Sequence, residues 1–117
     1  LKGFALSFLA RVYQYMDKMD SSKLCLDQSY EVLKNSSHPY YLSLTYLVYA
    51  DHYAVFDNAI EQFKYLKKSY VIREELKDKR PLIYACERMS GFYTDQGKYD
   101  SALVYLRKAK IALGRDT

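Results

Sequence analysis

A chain of 117 residues, half of them hydrophobic, can build one domain with a continuous core and is too short for two. Only 4 Gly and 2 Pro leave few places for the tight turns of an all-β fold. The formal charge of +4 arises from 18 basic residues interspersed with 14 acidic ones, too even a mixture for a dedicated nucleic-acid binder, and no apolar run approaches the roughly 18 residues of a membrane span.

Taken in chain order, the hydrophobic period is helical almost throughout. Leu6, Leu9, Ala10 and Tyr13 predict a first helix over 1–16. Asp20 is expected to cap a second over 20–35, with the stripe Ser22, Leu26, Ser29 and Leu33. Pro39 opens a third over 39–53, where Ser43, Tyr46, Leu47 and Ala50 share a face. Asp57 is expected to cap a fourth over 57–77, with Ala59, Phe63, Leu66 and Tyr70; its charged end from Glu74 to Arg80 reads as solvated. Pro81 opens a fifth over 81–95, with Cys86, Met89, Ser90 and Tyr93. Asp100 is expected to cap a sixth over 99–113, with Ala102, Leu106, Ala109 and Leu113. The triplets at Asp20, Asp57 and Asp100 give repeat spacings of 37 and 43 residues. Short links predict antiparallel neighbours, and 14 Tyr without Trp suit a thin domain of half-buried residues.

The stretch from Tyr84 to Ala109 resembles the tetratricopeptide (TPR) repeat. It sets Cys86, Met89, Ser90, Tyr93, Ala102, Leu106 and Ala109 at the pattern's places and Gly97 at the inter-helix turn. The second repeat keeps Tyr46, Phe56, Asp57, Ala59 and Phe63 and departs at Leu47, Ala50 and Ala54. The first keeps Leu9, Ala10, Tyr13 and Leu26 and departs at Asp17 and Ser22. The mean spacing of 40 is similar to the longer variants found in sensors and regulators. The resemblance implies an all-α fold: three tandem TPR-like hairpins forming an α-α superhelix, with repeats near 3–37, 39–78 and 81–115 in a single domain. Because the chain starts at Leu1 rather than Met, it is expected to be a piece of a longer protein.

In TPR proteins the first helix of each pair lines a concave groove. The resemblance therefore implies a peptide-binding groove formed by Phe4, Ser7, Arg11, Tyr15, Tyr41, Leu44, Val48, Tyr84 and Arg88, with His52 at its edge. An aromatic strip flanked by arginine has the composition of a binding hot spot. The Lys and Asn set with which some TPR modules clamp chaperone tails is absent, so no such clamp is expected.

No residues are marked for chemistry. His38 and His52 are the only histidines, Cys25 and Cys86 sit in apolar patterns as buried thiols, and no metal-ligand spacing, phosphate loop or nucleophile elbow occurs. No catalytic residue, metal or cofactor is therefore expected. The expected function is non-catalytic protein–protein interaction. Two alternatives stand beside it: a signal-input domain of a larger bacterial transcriptional regulator or kinase, and structural self-association through the terminal helices. Either a cytoplasmic setting, which is favoured, or the extracytoplasmic part of an anchored sensor fits this reading.

Overall fold

The computed structural model describes residues 2–115, which form six α-helices and, among these residues, no strand. They are α1 (Lys2–Tyr15), α2 (Met19–Leu33), α3 (Pro39–Val55), α4 (Ala59–Glu74), α5 (Arg80–Asp95) and α6 (Tyr99–Arg115). Each boundary lies within a helical turn of where the periodicity put it. Pro39 and Pro81 stand in the first turns of α3 and α5, where their missing N–H costs nothing.

Three turns are built alike. Asp17, Asp57 and Gly97, an even 40 residues apart, take positive φ of 59°, 54° and 73°. The next N–H in each turn reaches back to a tyrosine carbonyl: Lys18 to Tyr13 at 2.8 Å, Asn58 to Tyr53 at 3.0 Å and Lys98 to Tyr93 at 2.8 Å. Each is a helix C-terminus closed by a left-handed residue.

This geometry corrects the caps and the register read from the sequence. Asp57 ends α3 rather than capping α4; the Asn58 Oδ1 accepts the Glu61 N–H at 3.2 Å instead. Asp20 and Asp100 lie inside the first turns of α2 and α6, and Lys18 precedes α2 without a side-chain cap. Aspartate near a helix end suits the N-cap and also tolerates the left-handed region, so its identity alone does not decide. With the turns aligned, Ser22, Gln62 and Ala102 share one place, and Tyr13, Tyr53 and Tyr93 another. The spacings of 37 and 43 become 40 and 40, and Tyr46, Tyr49, Ala50 and Tyr53 occupy the places of Cys86, Met89, Ser90 and Tyr93. In this register Asp57 stands at the place of Gly97 and Gln62 at that of Ala102, and the alignment read from the sequence differs from it by almost one helical turn, a slip that leaves an amphipathic stripe nearly unchanged.

The chain divides into two compact units, Leu1–Tyr65 and Leu66–Thr117, the boundary falling inside α4. In the first, α1, α2 and α3 pack on one another around Ala10, Leu26, Leu33, Leu47 and Ala50. Gly3 is required there: a Cβ would stand 2.5 Å from Leu33 Cγ. Tyr65 of α4 stacks on Tyr49 (4.7 Å between ring centroids) and Tyr53 (5.7 Å), with Tyr46 at 5.9 Å. In the second unit α5 packs on α6. Ala102, Ala109 and Ala112 are the buried line of α6, and Tyr105 packs edge-on against Tyr70 and stacks on Tyr93. Leu106 and Leu113, expected in the core, are about half exposed, as is Leu9 of α1.

Candidate functional site

The first unit presents an apolar surface along α1. Gly3, Ser7 and Ala10 face inward, and the sequence then supplies apolar residues nearly all round the helix. Phe8, Leu9, Val12, Tyr15 and Met16 are all exposed, Tyr15 at 80%, and they recur at spacings that place them on one broad outer face. A helix apolar on every side is ordinarily covered on every side.

At the N-terminal end this face continues into a partly exposed aromatic cluster. Phe4 contacts Phe8 edge-on at 4.7 Å and Tyr41 at 4.8 Å, and Tyr41 adjoins Tyr40 and His38 at 5.9 and 5.6 Å. Leu44 is half-buried one turn along α3. Further along, Arg11 pairs with Asp51 at 3.5 Å, and the Gln14 side-chain amide donates to the Val48 carbonyl at 3.1 Å. Of the five expected groove residues of this unit that remain at least partly open, Phe4 and Tyr41 touch, Leu44 is half-buried, Tyr15 lies on the outer face with Phe8, and Arg11 is tied to Asp51.

Two expected groove residues are core residues. Ser7 and Val48 are each only 3% exposed. Ser7 Oγ lies 2.8 Å from both Ser29 Oγ and Thr45 Oγ1, which are 3.0 Å apart, so one hydroxyl from each of three helices meets in a closed triangle. Ser29 donates to the Gly3 carbonyl at 2.7 Å, which leaves the Ser7 and Thr45 protons for the contacts within the triangle. His52 is likewise buried rather than at a groove edge, with its Nδ1 unpartnered. Burial, followed by the Lys23 charge, lowers its pKa, while Asp27 and Asp20 act the other way. Beside it Asp27 accepts from Lys23 at 2.9 Å and from the buried Tyr49 hydroxyl at 2.6 Å. Spacing alone could not separate these polar residues from surface ones, because small hydroxyls are accepted in a helix core when they find each other.

In the second unit Tyr84 is exposed on α5, with the Arg88 guanidinium 5.8 Å and the Arg73 guanidinium 5.7 Å from its ring; Arg88 also donates to the Tyr84 hydroxyl at 3.2 Å. Arg73 is itself buried and donates to the Pro81 carbonyl at 3.1 Å. Tyr84 and Arg88, both named for the groove, thus adjoin one another on α5.

A feature not foreseen from the sequence is a pocket of about 220 Å³ in this unit, lined by Tyr70, Glu74, Lys79, Leu82, Lys108, Ile111 and Ala112. Lys108 Nζ donates to the Tyr70 hydroxyl at 3.0 Å, which donates to Glu74 Oε2 at 2.9 Å; Lys79 Nζ donates to the Glu74 carbonyl at 2.7 Å. Burial and then the Glu74 carboxylate raise the Tyr70 pKa above the usual tyrosine range, so the hydroxyl remains a donor. Residues 66–117 also hold 12 of the 18 Lys and Arg against 7 of the 14 Asp and Glu, which makes this half +5 and residues 1–65, with 6 and 7, −1.

Among the described residues no His, Cys, Asp or Glu cluster could hold a metal ion, and no helix is long and apolar enough to cross a membrane. No family model, curated protein or solved structure matches this chain.

Proposed function

We propose that this chain is a non-catalytic protein-interaction module of the TPR type that docks a polypeptide segment on the first unit. The observation that carries the reading is the outer face of α1, where Phe8, Leu9, Val12, Tyr15 and Met16 stand exposed beside the Phe4–Tyr41 cluster. Contiguous exposed apolar surface of this kind marks an interaction site more often than it marks a free surface. Rigid aromatic side chains lose little entropy on binding, which suits them as anchors.

Selection of a displayed random-peptide library on the purified chain tests this. Enriched peptides should carry large apolar residues at regular spacing. The Phe8→Ala, Tyr41→Ala double variant should bind them at least about tenfold more weakly. Equal binding by the variant overturns the reading.

Self-association is a second reading, favoured by a separate observation. The last helix also exposes Leu103, Leu106, Ile111 and Leu113, and stacked repeats need polar outer faces at their ends to stay apart. Light scattering across a concentration series distinguishes the two: a mass that rises with concentration and falls back to one chain in Leu106→Lys supports assembly through α6.

A further inference from the structure

We propose that the pocket between α4, α5 and α6 in the second unit binds a small aliphatic zwitterion, a free α-amino acid of about leucine size. The inference is independent of the docking reading and gives the signal-input alternative a specific ligand class.

Size comes first. At about 220 Å³ and partly open to solvent, the pocket has room for a small metabolite. The lining then divides by chemistry. Leu82, Ile111 and Ala112 form an apolar wall, while Lys79, Lys108, Glu74 and the Tyr70 hydroxyl supply the polar groups.

The polar groups carry both signs of charge and keep bonding capacity. Each ammonium has three donors and spends one on the contacts above, Lys108 on Tyr70 and Lys79 on the Glu74 carbonyl. The Glu74 carboxylate accepts from Tyr70 through Oε2, which leaves lone pairs for a further donor. The Tyr70 hydroxyl stands between Lys108 and Glu74, 3.0 Å from one and 2.9 Å from the other, and so holds the positive and negative groups apart and side by side. A simple anion would meet Glu74, and a simple cation would meet two lysines. An α-amino acid, whose ammonium and carboxylate are fixed on neighbouring atoms, answers each group with its opposite and turns its side chain to the apolar wall. Lys67, 5.2 Å above the Tyr70 ring, adds to the positive potential that would draw a carboxylate in.

The test uses the whole isotope-labelled chain and three probes: leucine, 4-methylpentanoate, which lacks the amine, and 3-methylbutylamine, which lacks the carboxylate. Leucine should give saturable amide shifts centred on Leu82, Ile111 and Ala112 and bind at least about tenfold more tightly than either analogue. Lys108→Met should remove its advantage over the amine, and Glu74→Gln its advantage over the carboxylate. Both side chains are exposed, so the variants should keep the wild-type circular dichroism spectrum. Three results each overturn the proposal: leucine shifts centred elsewhere, no saturable shift at millimolar leucine, or 4-methylpentanoate binding as tightly as leucine. The last would leave a plain carboxylate site.

Discussion

At the scale of single residues, the informative positions are small and buried. The Ser7–Ser29–Thr45 triangle is stabilising only as a set, because each hydroxyl is the partner of the other two. Ser29→Ala alone is expected to cost about 1–2 kcal/mol by urea unfolding, through the two hydroxyls it leaves short of a partner. The Ser7→Ala, Ser29→Ala, Thr45→Val combination should cost less than the sum of the single changes, because it removes the orphaned groups together. Ser22 and Ser69 are the reverse case: both are fully buried with no hydrogen-bond partner, so Ser→Ala at each should stabilise by about 1 kcal/mol. Gly3→Ala should destabilise by about 1–3 kcal/mol despite the better helix propensity of alanine, because the new methyl meets Leu33. His52 links stability to pH. Its folded pKa lies below the ordinary 6.5, so its neutral form is the one the fold accepts. That contribution is complete above pH 6.5 and is lost as the pH falls through the folded value. Chemical denaturation at pH 7 and pH 5 should show a loss in wild type that is smaller in His52→Leu.

At the scale of elements, the three left-handed turns recur every 40 residues. Asp17, Asp57 and Gly97 do the same job, but only glycine does it without a Cβ penalty. Gly97→Ala should destabilise by about 1–2 kcal/mol, and Asp57→Gly should stabilise by of order 0.5–1 kcal/mol, both readable as shifts of the denaturation midpoint. The tyrosines that accept the closing N–H groups, at 13, 53 and 93, pin the register that hydrophobic period left uncertain by one turn. The helices differ in how their faces are used. α6 gives its inward line to three alanines and leaves its leucines outside, so close approach to α5 comes from small side chains and not from large apolar ones.

At the scale of the whole chain, two compact units divide inside α4, and they differ in character. The first is nearly neutral and carries the apolar face of α1; the second carries the basic excess and the pocket. A charge placed on the first unit's outer face should therefore act on association and not on folding. Val12→Lys, at an exposed position, is expected to leave the thermal midpoint within a few degrees while lowering retention on a hydrophobic-interaction column. A large fall in the midpoint would show that Val12 is needed inside the fold.

The sequence by itself determined that the chain is helical, how many helices it has, and nearly where each begins and ends, because period, proline position and turn residues are local properties. It also pointed to Phe4, Tyr41, Leu44, Tyr84 and Arg88 as open or half-open positions. What it left undecided were questions that one helix cannot answer about itself. Period 3.6 says which residues share a face, but only the neighbour's position says whether that face is covered, so the sequence places Leu9, Leu106 and Leu113 in the core and Ser7, Val48 and His52 on the surface, and the fold reverses both. The pocket was illegible for the same reason. Tyr70 and Glu74 lie more than thirty residues from Lys108 in the chain, and only the packing of α5 on α6 and the return of α4 bring their charges to one small space. Local interactions fixed the elements, and contacts distant in sequence decided what each face was for.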